Sequence, residues 1–265
     1  MEEYRAVLRR AAADLIERLP PSLRVSIKAH HYARILGHNL LGRDPDLRTI
    51  QQLVRPGEQV LDLGANVGVW THALSAVVGP TGRVWSFEPI PETFALLRLN
   101  VERFGLGNVV PIDRAVSDED TTLLMSVPRD SRGVRNYHLA RVGTSRNSPS
   151  FQVLSVRLDS WFIGAGRPRV TFVKIDTEGH ELACIRGMSL LLAQCLPALC
   201  VEMSSDLDDP SSDAAQIDGI LRTHGYEAHL WTGASFKPRQ NGECAVNYFF
   251  LRREHLMLEV PVDPR

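Results

Sequence analysis

Between Thr171 and Glu181 the chain reads TFVKIDTEGHE, which brings Lys174, Asp176, Glu178 and His180 into one short run. Phe172, Val173 and Ile175 mark a central strand, so Lys174 and Asp176 fall on one strand face, two residues apart. A lysine inside a buried strand costs several kcal/mol unless it is paired. Lysine occurs in this chain only at positions 28, 174 and 237, and the basic residues are otherwise arginine. Glu202 ends the next apolar run, LCVEM, and could join the pair. A lysine–carboxylate group at strand ends is a candidate functional site. Its chemistry would be proton handling. A hydroxyl is a poor nucleophile while protonated, so transfer of a group to oxygen needs a base or a metal beside it. Asp176, Glu178 and His180 could supply either, and the spacing, which also suits a hard cation, does not assign a metal. Glu178 could instead hydrogen-bond the Gly179 turn, and Glu181 is expected in the first turn of a helix, where the dipole favours it.

A second pattern says what would be bound. Gln59 to Gly68 reads QVLDLGANVG: a short apolar strand breaks through glycines into a helix. Such a turn is a place for a nucleotide-like ligand. Gly64 and Gly68 can take positive φ and let backbone approach a ligand. The dinucleotide fingerprint needs glycine where this chain has Asn66 and Val69, so a pyrophosphate is disfavoured. Asp62 can accept from an ammonium group and Asn66 can donate to a carboxylate. S-adenosylmethionine offers both and has no phosphate. The next strand, RVWSF over 83–87, ends at Glu88, 24 residues after Gly64. The acid that binds the ribose hydroxyls in such units lies about 20 residues on. Pro89 and Pro91 suit the start of a helix over 92–104.

These residues need a rigid frame. Strands are expected near 59–63, 83–88, 109–113, 171–176, 198–203, 228–231 and 245–252, and helices near 68–78, 91–104, 179–194 and 212–224. This alternation implies a mainly parallel sheet with helices on both faces. The last two strands are joined by a polar, Gly-rich loop over 232–242, which favours an antiparallel hairpin. The rhythm breaks over 117–170, where 121–127 and 151–157 look like strands around a loop. That loop holds Arg129, Arg132, Arg135, Arg141 and Arg146 with Tyr137 and His138 between them. It could grip a sugar, a carboxylate or a phosphate, or be plain solvated loop. Residues 1–50 form a helical extension: Tyr4, Val7, Leu8, Ala11, Leu15 and Leu19 fall near helical spacing, Pro20 and Pro21 end that segment, and 30–41 form a second helix. Such an extension packs over a cofactor cleft or forms a homodimer face. His30 and His31 read as surface or packing residues. The remaining 51–265 are expected as one catalytic domain, with 117–170 as an insertion near the acceptor site.

Composition narrows the partners. The formal net charge is −1, so no global field draws in nucleic acid or an anionic membrane. Cys184, Cys195, Cys200 and Cys244 lack C-x-x-C spacing and are expected as buried thiols. The first 25 residues hold no signal-peptide core and no run approaches 18 apolar residues, so a cytoplasmic protein without a membrane span is expected.

Taken in order, LDLGANVG, SFEP, VRLDSW, VKIDTEGHE and ALCVEM resemble the FkbM family of S-adenosylmethionine-dependent methyltransferases over about residues 55–205. The resemblance implies a class I (Rossmann-like) seven-stranded methyltransferase fold and O-methylation of a small-molecule or glycan hydroxyl: a sugar, a glycolipid or a secondary metabolite. By position, Asp62, Gly64, Ala65, Asn66 and Gly68 would line the methionine end, Glu88 the ribose, and Asp113 and Ser117 the adenine. Lys174, Asp176, Glu178 and Glu202 would face the acceptor, while the family pattern leaves the position of His180 open. Rival readings are a methyltransferase acting on nitrogen, a nicotinamide oxidoreductase and a non-catalytic S-adenosylmethionine-binding module. The D-T-E-G strand end differs from the N/D-P-P-Y type used on nucleic-acid bases.

Overall fold

The computed structural model describes residues 16, 19–37, 45–128, 140–143 and 150–257. Tyr4 to Leu15 of the first expected helix lie outside the described residues, as do Arg129, Arg132, Arg135, Tyr137, His138 and Arg146 of the arginine-rich loop.

Five strands form the parallel centre: β1 (Gln59–Leu63), β2 (Arg83–Phe87), β3 (Val109–Ile112), β8 (Val170–Ile175) and β9 (Ala198–Glu202). The sheet order is β11-β10-β12-β9-β8-β1-β2-β3, with β10 (Glu227–Trp231), β11 (Phe236–Pro238) and β12 (Asn247–Leu251) on one side. β12 runs antiparallel between β9 and β10, which is the expected terminal hairpin and the reversed strand of a class I methyltransferase sheet. The eighth strand, β11, comes from the linker expected as plain loop; Phe236 packs at a tilt against the rings of Trp231 and Phe249 there and ties it down.

Side-chain alternation sorts the sheet into two faces. Leu61, Leu63, Val173, Ile175, Leu199, Val201, Tyr248 and Phe250 pack against one set of helices: α5 (Leu158–Gly164), α6 (Glu181–Arg186), α7 (Ser189–Cys195) and α8 (Asp213–Thr223). Val60, Val84, Phe172, Ala198, Cys200 and Phe249 face α2 (Arg48–Leu53) and α3 (Val69–Val78). Asp62, Lys174 and Glu202 continue this second face in steps of two, so the period that fills the core also lines up the polar residues at its carboxyl edge.

Three elements depart from expectation. Pro21 opens a helix rather than ending one: α1 spans Pro21–Leu36, with proline in the first turn where its missing N–H costs nothing. Arg24 and Lys28 pair from α1 with Glu92 on α4 (Pro91–Arg103). The helix expected over 179–194 divides at Gly187, where an added Cβ would lie 2.0 Å from the Ser117 carbonyl oxygen. The Asp159 carboxylate then accepts from the amides of Leu190 and Leu191 and starts α7. Asp159 itself sits on α5, a helix inside the VRLDSW stretch that no expected element covered.

The break in the alternation is a second sheet of four strands in the order β4-β7-β5-β6, made of β4 (Ala115–Ser117), β5 (Thr122–Ser126), β6 (Arg141–Val142) and β7 (Ser150–Arg157). Its apolar side holds Ala115, Met125, Val127, Ala140 and Val153 and closes on Ile90. A last short helix, α9, spans Arg253–Leu256. Cys184 and Cys200 are buried, Cys195 is half-buried, and Cys244, against expectation, is exposed; all four are free thiols.

Candidate active site

The carboxyl ends of β1, β2 and β8 open into a cleft enclosing about 980 Å³ of non-protein space, its open mouth included. A cleft at this edge of a parallel sheet is where such folds place ligands. Asp62, Gly64, Ala65, Asn66, Glu88, Asp176 and Glu178 line it, so the structure brings these predicted residues together.

The turn after β1 is held by its own amides. Gly64 and Ala65 both donate their amides to the Phe87 carbonyl, at 3.0 and 2.9 Å, and Gly68 donates to the Ala65 carbonyl. The Asn66 amide donates to Glu88 Oε2 at 2.9 Å. These four N–H groups are spent inside the protein, so this part of the turn does not offer them to a phosphate. Gly64, at φ +84°, also has a packing reason: a Cβ there would lie 1.8 Å from the Asp176 carbonyl oxygen. At Gly68, φ +96°, a Cβ would meet Leu97 at 2.9 Å. The sequence reading gave both glycines to the ligand; the backbone crossing and α4 claim the space.

Two buried acids wall the cleft. Asp62 is 1% exposed and accepts from the Thr71 hydroxyl at 2.6 Å; Thr71 stands on α3 and also reaches Ser86, the register partner of Asp62 on β2. Burial raises the Asp62 pKa to about 6, against the pull of Thr71 and Lys174. Glu88 accepts from Asn66, from the Ile90 amide and from the Thr93 hydroxyl, and burial raises its pKa too. Two desolvated carboxylates suit a ligand carrying positive charge and a diol. Phe87, Ile90, Val116, Met125, Ala140 and Val142 add an apolar wall, partly from the small sheet. Acids for an ammonium and a ribose, with an apolar slot for a base, fit S-adenosylmethionine.

Asp113 and Ser117 are not among the lining residues. β3 ends at Ile112, and Asp113 points outward, exposed and paired with Arg114 at 2.5 Å. Ser117 is buried in β4, where its hydroxyl meets His180 Nε2 at 2.9 Å. The cleft wall there is made by Arg114, Ala115, Val116 and His180. Sequence reasoning counted from the end of β3 and could not see that β4 turns the chain back at once.

Where the β1 turn crosses the end of β8, Asp176 and Glu178 stand in the cleft, with Glu202 beside them. One oxygen each from Asp176, Glu178 and Glu202 lies within 4.8 Å of the others. Crowded negative charge and burial act together: the Glu178 carboxyl is pushed up to about 7, first by burial and then by Asp176 and Glu202. Glu202 is also raised, by burial first and by Asp176. Glu181 donates nothing here but accepts from the Thr177 and Gly179 amides, holding the turn. Glu181, not Glu178, does the task first considered for Glu178, which leaves Glu178 facing the cleft at φ +53°.

Lys174 is the countercharge. It is 1% exposed, with its Nζ 3.9 Å from Asp176, 3.8 Å from Glu202 and 5.1 Å from the centre of the Trp70 ring. Burial pulls its pKa down, but the carboxylates of Asp176, Glu202 and Asp62 oppose this, and the net direction is above its ordinary value. Three acids this close could take a divalent cation; two of them already face this ammonium.

The family model described as "Methyltransferase FkbM domain" matches residues 62–228, well over half of the chain. The chain is 35% identical over 198 residues to the 31-O-demethyl-FK506 methyltransferase FkbM of Streptomyces tacrolimicus, covering 65% of this chain and 74% of that protein. It is 27% identical over 172 residues to the hexuronic acid methyltransferase AglP of Haloferax volcanii, covering 64% of this chain and 66% of that one, so it spans a little under two thirds of that relative. Among solved structures, the methyltransferase FkbM of Methylobacillus flagellatus KT is similar at 16% identity and a TM-score of 0.46, covering 93% of this chain and 60% of that chain.

Proposed function

Since this chain belongs to the FkbM methyltransferase family and S-adenosylmethionine is its cofactor, we propose that it methylates a hydroxyl oxygen of a small molecule or glycan, with Glu178 taking the proton. The observation that carries this reading is the trio Asp176, Glu178 and Glu202, two of them lining the cofactor cleft, set against a buried ammonium.

When bound, S-adenosylmethionine supplies an electrophilic methyl group. Asp62 and the 64–68 turn would hold its amino-acid end, Glu88 its ribose, and the wall of Ile90, Val116 and Met125 its adenine. Glu178, half ionised near neutral pH, accepts the hydroxyl proton as the new oxygen–carbon bond forms, because a base works best with a pKa near the working pH. Asp176 and Lys174 set the charge around it. Holding the reactants in contact distance is worth several kcal/mol by itself.

Asp176→Asn is expected to abolish turnover and to leave cofactor affinity within about a few fold, since the loss falls on the transition state rather than on binding. Labelled S-adenosylmethionine with a panel of sugars, polyols and amines measures this, with calorimetry for the cofactor. Label on nitrogen alone, or cofactor binding with no transfer to any acceptor, would sink the O-methylation reading.

A further inference from the structure

Behind the acids runs a polar chain that the proposed reaction has not used. Lys174 Nζ donates to Asn247 Oδ1 at 2.7 Å, and Asn247 Nδ2 donates to Asp46 Oδ2 at 2.7 Å. Asn247 opens β12 opposite Glu202, while Asp46 stands just before α2. Both lie outside residues 62–228.

The distances say which contact aims the ammonium. Asp176 and Glu202 stand 3.9 and 3.8 Å away, beyond hydrogen-bond reach, so they attract the charge without fixing its direction. The direct hydrogen bond goes to Asn247. An amide is a two-ended group: one end accepts, the other donates. Flipped, it would press its NH₂ against an ammonium. Asp46 prevents this, because a carboxylate can only accept and so requires the NH₂ end. The remaining groups around Lys174 are Asp62 beside it on β1, Cys200 beside it on β9 and the Trp70 ring on α3. Of these, the Cys200 thiol reaches Asn247 Oδ1 at 3.7 Å and only weakly favours the same orientation.

We propose that Asn247 and Asp46 are positioning residues, a relay that holds the Lys174 ammonium as a fixed countercharge between Asp176 and Glu202. The inference rests on the reading of those acids as the proton-handling group. It also gives the segment before residue 51 a part in the chemistry, acting through Asn247 rather than touching any substrate.

The chain has three lysines, so ¹⁵N-lysine labelling yields a simple ammonium spectrum in which Lys28 and Lys237 serve as internal controls. Lys174→Arg assigns the remaining signal. Two variants of the half-buried Asp46 then separate the relay from mere packing. Asp46→Leu keeps the size and removes the acceptor, whereas Asp46→Asn offers a carbonyl that can still accept from Asn247. In Asp46→Leu, the Lys174 signal is expected to exchange about tenfold faster or vanish and kcat to fall about tenfold, with the dissociation constant for S-adenosylmethionine within about twofold. Asp46→Asn should keep the signal and about half or more of kcat. The relay is overturned if Asp46→Leu leaves either the Lys174 signal or kcat unchanged, or if Asp46→Asn falls as far as Asp46→Leu. A wild-type protein that binds the cofactor and methylates nothing would refute the proposed reaction; the ammonium spectra would still judge the relay.

Discussion

Two carboxylates of the cleft, Glu178 and Asp62, are held above their ordinary ionisation, with different consequences. Glu178, with a pKa of about 7, is protonated below that value and cannot accept a proton there. The rate should therefore rise through pH 7 and level off above it, and Glu178→Gln should remove this limb of the profile along with most of the activity. A rate–pH curve that keeps its shape in the variant would assign the base elsewhere. Asp62 is different, because its burial costs the protein something before any ligand arrives. Its folded pKa of about 6 stands above the unfolded value, so the stability it lends is complete at low pH and is lost as pH rises through about 6. A displacement of about two units corresponds to roughly 3 kcal/mol at most. Asp62→Asn is thus expected to raise the melting temperature of the cofactor-free protein at pH 8 while weakening S-adenosylmethionine binding about tenfold or more. Calorimetry beside a melting curve checks both signs. At this scale the sequence was legible where a residue type was unusual for its place. A lone lysine in an apolar strand and an acid opening a glycine turn both drew notice. Asn247 and Asp46 did not, because nothing local marks them; they meet Lys174 only once β12 lies beside β9.

Between elements, one close joint is the crossing of the β1 turn over the end of β8. The Asp176 amide donates to the Leu63 carbonyl, and the Asp176 carbonyl fills the place a side chain would take at Gly64. Gly64→Ala must push these backbones apart and hold alanine at positive φ, a cost of roughly 2–4 kcal/mol. Gly179, also at positive φ, faces open space, so Gly179→Ala should cost about 1–2 kcal/mol, the left-handed strain alone. Urea unfolding of the pair separates crowding from strain, and equal losses would contradict the crossing as the reason for Gly64. The βα rhythm could be read because each parallel strand carries its own local apolar run: all five fall within a few residues of expectation. Reading failed where tertiary contacts overrule the local pattern. The Ser117 carbonyl breaks one helix into two at Gly187, and Asp159 starts the second from another segment. β4 and α5 are too short to show a period.

Across the whole molecule, the cleft is walled by two sheets: Asp62, Glu88 and Asp176 stand on the large one, and Met125 and Val142 on the small one. A ligand that fills it ties the two together, so its binding energy should appear as global stability. S-adenosylmethionine at a hundred times its dissociation constant should stabilise the fold by about 2.7 kcal/mol, seen as a clear rise in melting temperature. NAD, whose pyrophosphate fingerprint this turn lacks at Asn66 and Val69, should give none. A shift with NAD and none with S-adenosylmethionine would reverse the cofactor assignment.

The small sheet also leaves the main fold by the door through which it came. β4 at its start and β7 at its end are paired, Ala115 beside Ser155 and Ser117 beside Arg157. A graft cut at those two strands could trade one set of cleft-covering strands for another without shifting the register of a single strand in the large sheet. Because Val116 and Met125 belong to this removable cassette, such a graft would re-shape the apolar wall of the cleft while Asp62 and Glu88, at the edge of the large sheet, stay as they are.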